Sequence, residues 1–254
     1  MAPILDCRPP TTHVCAPYAA PDPAPDRPSQ HPPGRLIVLE GGDGCGKTTQ
    51  IQRLYPWLCS ADPWPNSQNR PPALHLTKEP GGSELGHKLR SILLNPQLLN
   101  APIADRAELF LYGADRSQHI EQLLKPWLAA GHWILCDRYT GSTVAYQGYG
   151  RQLDLDLIHT INHLATGGLQ PDLVLWLDLP VEDCQARLRA RGNSDRMEAA
   201  QADQTAFAHR IHQGFADQAA QDPDRWLRIS GTGSIETVAD RLQTALRHWI
   251  ATLP

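Results

Sequence analysis

Leu36-Ile37-Val38-Leu39-Glu40-Gly41-Gly42-Asp43-Gly44-Cys45-Gly46-Lys47-Thr48 is the stretch on which the reading of this chain turns. Its first four residues are an apolar run between Gly34 and Gly41-Gly42, which reads as a buried parallel strand. Gly41 to Thr48 then fits G-x-x-x-x-G-K-[ST] at every fixed position, and a helix is expected from about Lys47 to Leu58. Glycines here permit backbone turns that aim successive N–H groups at phosphate oxygens, and the helix N-terminus adds partial positive charge. Gly41, Gly42, Asp43, Gly44, Cys45, Gly46, Lys47 and Thr48 are thus the candidate site for a nucleoside triphosphate. Lys47 would reach the β- and γ-phosphates, and Thr48 would ligate Mg²⁺. A glycine-rich turn that binds nothing is the alternative, and the strand before and helix after weigh against it. The loop alone does not choose among GTPases, transporters, motors and small-molecule kinases.

Outward from this stretch, strands and helices alternate. Further strands are expected at Ala73–Thr77, Trp133–Cys136, Leu173–Leu177 and Trp226–Ile229. Helices are expected at Glu84–Leu94, Ala104 to about Ala129, Leu153–Ala165, Pro180 to about Ala190, Ala199–Ala220 and Ile235–Leu253. Residues 59–72 read as a polar, proline-rich surface loop. Five strands alternating with helices predict an α/β protein with the P-loop NTPase fold, a five-stranded parallel sheet flanked by helices. Ligands of such sheets bind at the carboxyl ends of the strands, so the residues from Glu40, Thr77 and Asp137 onward carry the chemistry.

Composition narrows the partners. Lys and Arg number 23 against 27 Asp and Glu, the opposite of a nucleic-acid binder's balance. No stretch approaches 18 apolar residues, so no membrane span is expected. Residues 1–34 are rich in proline, show no periodicity and lack the apolar segment of a signal peptide; a disordered extension is expected, with the folded domain at 35–254. The six cysteines form no C-x-x-C pair, which suits a reducing cytoplasm, and Cys136 and Cys184 read as small buried residues.

Four segments together resemble the thymidylate kinases: Glu40 to Gln50; Thr77-Lys78-Glu79-Pro80-Gly81-Gly82; Asp137-Arg138-Tyr139 with Ser142 and Ala145-Tyr146-Gln147-Gly148; and Arg191-Gly192 through Asp195-Arg196-Met197-Glu198. The resemblance runs from about Arg35 to the C-terminus. It implies a nucleoside monophosphate kinase that moves the γ-phosphoryl group of ATP onto dTMP with Mg²⁺. It implies that Arg138 grips the acceptor phosphate, a task suited to a guanidinium fork, and that Arg90 also contacts the acceptor. Tyr112 would stack on thymine, with Arg116 reaching the base edge from four residues further along the same helical face. Thr143 and Gln147 would hydrogen-bond the base, Tyr146 would lie near the sugar 2′ position, and Glu79 and Pro80 would shape the pocket. Asp43 would approach the acceptor 3′-OH or the metal. Because Gly44 stands where some members carry Arg, the rate-assisting cations would come from a lid at about 187–198, Arg191 first and Arg196 second, with Arg187 beside them. A homodimer is implied by resemblance as well.

Each assignment has a plainer alternative. Asp137-Arg138 could be a structural ion pair, Arg90 a solvated helix charge, and Tyr112 a core aromatic. Lys78 departs from the family's usual Arg and cannot make a bidentate fork. The rival functions are another nucleotide or deoxynucleoside kinase, which would want a carboxylate base or different base contacts, and a GTP switch. The switch would need an N-K-x-D-like guanine reader, and none is found.

Overall fold

The structure is a computed structural model that describes residues 34–60, 63–64, 73–95, 98–99, 101–191 and 204–253. Five strands form one parallel sheet: β1 (Arg35–Glu40), β2 (Leu74–Lys78), β3 (Trp133–Asp137), β4 (Leu173–Asp178) and β5 (Trp226–Ser230), in the order β2-β3-β1-β4-β5. β1 is central, with Val38 opposite Cys136 on one side and opposite Val174 on the other. Its period-two alternation feeds two cores. Ile37 and Leu39 pack with Ile51, Leu54 and Leu58 of α1 (Lys47–Cys59) on one face. Leu36 and Val38 pack with Ile120 and Leu124 on the other. Strand order reverses at β1, so its carboxyl end opens the crevice where such sheets bind ligands.

Helices α2 (Glu84–Leu94), α3 (Asp105–His119) and α4 (Lys125–Ala129) follow β2, and a π-helical turn, Ile120–Leu124, links α3 to α4. The expected single helix over 104–129 is therefore one helical run carrying a π insertion. After β3 come α5 (Thr140–Thr143), a π-helical stretch at Val144–Gly150, and α6 (Leu155–Thr166). Sequence patterning alone predicts no element over 140–150. Then come α7 (Val181–Arg191), α8 (Gln204–Gln221) and α9 (Ile235–Ala251).

One expectation fails inside the loop at 59–72. Trp64 is buried, packs edge-on against Trp133 with ring centroids 4.8 Å apart, and donates its indole N–H to Leu58 O at 3.1 Å. The local run of Pro, Asn and Ser signals a surface loop, but a large apolar ring gains more from the core than from water. The remaining loop residues, 61–62 and 65–72, lie outside the described residues, as do 1–33 of the expected extension. Cys136 and Cys184 are buried, as read from sequence.

Candidate active site

Three carboxyl ends converge on the site: β1 delivers the phosphate loop, β2 delivers Glu79 and Pro80, and β3 delivers Arg138. Gly41, Gly44 and Gly46 take positive φ angles of 145°, 81° and 106°, which only glycine adopts without strain. At Gly44 a Cβ would stand 2.5 Å from Cys184 O and 3.0 Å from Leu188 Cγ. An Arg is thus sterically barred from this slot, and α7, which bars it, carries Arg187. Arg187 NH1 donates to Cys45 O at 3.3 Å, so its guanidinium overhangs the loop. Lys47 Nζ donates to Gly41 O and Gly42 O, both at 2.8 Å, and is held over the loop by the loop's own carbonyls. Thr48, in the first turn of α1, is exposed.

Arg138 joins the loop to the neighbouring cavity. NH1 donates to Gly41 O at 3.1 Å and to Ser142 Oγ at 2.9 Å, while NH2 pairs with Asp43 Oδ1 and donates to Tyr146 Oη at 3.2 Å. Tyr146 donates its O–H to Asp43 Oδ2 at 2.7 Å. Burial alone would raise the Asp43 pKa, but the charges of Arg138 and Lys47 outweigh it and hold the carboxyl below its usual range. Arg138 has φ 69°. Glu40, buried behind it, holds that turn: Oε1 accepts from the backbone N–H groups of Tyr139 and Ser142, both at 2.9 Å, and Oε2 from Ser142 Oγ at 2.6 Å. Burial pushes the Glu40 pKa up against these bonds.

One cavity is lined by all ten residues expected to hold the acceptor: Asp43, Glu79, Pro80, Arg90, Tyr112, Arg116, Arg138, Thr143, Tyr146 and Gln147. Leu94, Tyr139 and Ser142 complete it. Arg90 NH1 donates to Pro80 O at 2.8 Å, which ties it to the Glu79–Gly82 turn. Tyr112 also packs against the cluster around Ala145 and Tyr146, so the one ring lines the cavity and joins the core. Arg116 is only 2% exposed. Its Nε donates to Glu79 Oε2 at 2.8 Å, NH1 to Asn162 Oδ1 at 2.7 Å, and NH2 to Thr143 Oγ1 at 2.9 Å. Much of its fork thus braces the pocket wall.

Beneath that wall, His119 is fully buried between Glu79 Oε1 at 2.9 Å and Thr77 Oγ1 at 2.7 Å. A Cβ on Gly82 would meet the His119 ring at 2.4 Å, so the turn rests directly on the imidazole. Burial would raise the Glu79 pKa, but Arg116 and His119 hold it low. Burial, then Glu79, pushes neighbouring Asp115 up to about 6. His119, Asp115, Asn162, Glu40 and Arg187 were not singled out as site residues in the sequence, except Arg187 as a secondary lid candidate. Burial of a polar residue inside a helix or at a strand end leaves no local mark in the sequence. Arg191 ends α7, with its side chain outside the described residues, and Arg196 lies outside them altogether.

A phosphate loop beside an arginine-lined acceptor cavity, at the switch point of a five-stranded parallel sheet, defines a P-loop kinase of small phosphorylated acceptors. Residues 39–242 match the family model for thymidylate kinase. The chain is 48% identical over 215 residues to a thymidylate kinase of Prochlorococcus marinus (strain MIT 9313), covering 85% of this chain and 94% of the relative. It is 50% identical over 215 residues to one of Synechococcus sp. (strain RCC307), covering 85% and 96%. A crystal structure of thymidylate kinase from Ehrlichia chaffeensis superposes with a TM-score of 0.66 at 28% identity, over 85% of this chain and 100% of that one. The chain belongs to the thymidylate kinase family.

Proposed function

We infer that this chain phosphorylates dTMP to dTDP with the γ-phosphate of ATP, across the boundary between the phosphate loop and the acceptor cavity. The observation that carries this reading is Arg138, whose one guanidinium touches Gly41 and Asp43 of the loop and Tyr146 of the cavity. A phosphoryl group passing between the two sites would travel past a fixed cation. Arg138 and Arg90 would orient the acceptor phosphate, Lys47 the γ-phosphate, and Arg187 with Arg191 and Arg196 would offset charge on the transferred group. The acceptor oxygen is already ionised, so no general base is needed and positioning carries the step. Tyr112 would cover the thymine face, with Thr143, Gln147 and Arg116 at its edge. Tyr146, fixed by Asp43, would stand against a 2′-hydroxyl.

Mg²⁺, when bound, would offset negative charge on the phosphates. Residues here fit it: Thr48 offers its hydroxyl, and Asp137 Oδ1 is a buried oxygen with no hydrogen-bond partner among the described residues. Asp43, the other expected ligand, has both oxygens engaged by Arg138 and Tyr146, which suits the acceptor side better. A cytoplasmic setting fits the four free cysteines among the described residues, and none of the described helices is long and apolar enough to cross a membrane. Residues 35–254 would form the kinase domain.

The test is ADP formation from Mg·ATP by the full chain with dTMP, dUMP, dCMP, dGMP, UMP and thymidine. Preference for dTMP is expected. Faster turnover with thymidine would move the chain to the nucleoside kinases and undo the roles given to Arg90 and Arg138.

A further inference from the structure

Gln147 ends in an amide whose two ends have opposite hydrogen-bonding character, so its orientation decides what it can recognise. Its Nε2 donates to Glu108 Oε1 at 2.8 Å. Glu108, in the first turn of α3, is 4% exposed. Arg151, just past the π-helical stretch, grips it with a fork: Nε to Oε1 and NH2 to Oε2, both at 2.8 Å. A carboxylate held this way only accepts, so only the NH₂ end of Gln147 can face it. The amide carbonyl is then the end left for the acceptor cavity that Gln147 lines. One helical turn earlier, Thr143 Oγ1 accepts from Arg116 NH2, which leaves the Thr143 hydroxyl hydrogen to donate. The wall therefore presents one fixed acceptor and one donor.

We propose that Glu108, held by Arg151, is a positioning residue that sets the base identity of the acceptor. It fixes Gln147 as a hydrogen-bond acceptor and so selects pyrimidines whose ring N3 carries a hydrogen. Thymine and uracil satisfy that acceptor. Cytosine sets an N3 lone pair against the Gln147 carbonyl and leaves a buried oxygen unpaired, which is costly. Glu108 itself touches no ligand. The inference rests on the assignment of Thr143 and Gln147 to the base.

The experiment is steady-state kinetics of the full chain with dTMP, dUMP and dCMP for the wild type, Glu108→Gln, Arg151→Lys and Gln147→Leu, with thermal melts to verify folding. In Glu108→Gln the new amide can offer Gln147 either a donor or an acceptor, so the orientation is released. The dTMP-to-dCMP ratio of kcat/KM should fall about 10- to 100-fold, mainly through KM. The dTMP-to-dUMP ratio should stay within about twofold, because both bases carry the N3 hydrogen. Arg151→Lys keeps a cation without the fork and should shift the ratio the same way by less. A folded Glu108→Gln with unaltered dCMP rejection overturns the proposal. So does a change that strikes dUMP and dCMP alike, the mark of a merely loosened pocket. Gln147→Leu separates the two layers: if it leaves acceptor preference unchanged, the base assignment falls and the proposal with it, whereas silence of Glu108→Gln alone removes only the proposal.

Discussion

Arg138 occupies the left-handed region at φ 69°, which costs a non-glycine residue on the order of 1–3 kcal/mol. The bonds from Tyr139 and Ser142 to Glu40 hold it there, which suggests that the aim of the guanidinium, and not the ease of the backbone, sets this residue. Gly44 shows the converse: a positive φ and the nearness of Cys184 exclude any side chain from this position. Arg187, on the same α7 that crowds Gly44, is the described arginine that overhangs the loop. Arg187→Ala should lower kcat by about 10³-fold with little change in the KM for dTMP, in the manner of a lost arginine finger. Single-turnover kinetics would check this, and a change confined to KM would reassign Arg187 to binding.

At the scale of elements, the π-helical stretch at Val144–Gly150 carries Tyr146 and Gln147 into the cavity, with Thr143 at its N-cap and Arg151 at its C-cap. Such insertions recur at functional sites because they redirect side chains without ending the helix. Across the sheet edge, His75 of β2 shares a 2.8 Å hydrogen bond with His132, which precedes β3, and stacks on Trp127 of α4. Burial, then the nearness of His132, lowers the His75 pKa from 6.5 to about 4. The folded state therefore binds fewer protons there than the unfolded chain between pH 6.5 and 4. Its stability contribution is complete above pH 6.5 and is lost as pH falls toward 4. Asp115 opposes it: its pKa is raised from 3.8 to about 6, so its contribution is present below 3.8 and lost as pH rises through 6. His75→Gln should shrink the stability difference between pH 7 and pH 5 by about 1 kcal/mol, allowing for the solvent screening of a partly open site. Urea titrations at the two pH values measure it, and an unchanged difference would place the acid sensitivity elsewhere.

The whole molecule keeps apolar surface on three adjoining helices: Leu85 of α2, Phe110 of α3 and Leu164 of α6 are 44%, 55% and 69% exposed. We propose that a second copy of the chain covers this surface, in line with the homodimer implied by the family resemblance. Phe110→Lys combined with Leu164→Lys should convert the dimer to a monomer in light scattering while leaving the fold intact by circular dichroism. A wild type that is monomeric at micromolar concentration would remove the proposal. The acceptor cavity takes Arg90 and Leu94 from α2 and Tyr112 and Arg116 from α3 but none of these three exposed residues, so substrate binding and assembly can be probed separately.

Much of this protein is set by short-range pattern. The apolar run at Leu36–Leu39, the glycine spacing of Gly41–Gly46 and the Lys47-Thr48 pair suffice for a strand, a phosphate-binding turn and a helix, because each depends only on neighbours along the chain. The five strands and most helices follow from the same local rules. Other features belong to the tertiary structure alone. Glu108 reads as an ordinary acid in a helical first turn until packing sets it against Gln147 and Arg151, about forty residues away. Glu40 meets Tyr139 and Ser142 across roughly a hundred residues, and Trp64 meets Trp133 from within a loop of polar composition. The sequence determined which side chains would be available at the carboxyl edge of the sheet. Their orientation was decided by buried ion pairs and hydrogen bonds between distant residues, because the cost of burying an unpaired polar group is felt only once the chain has closed around it.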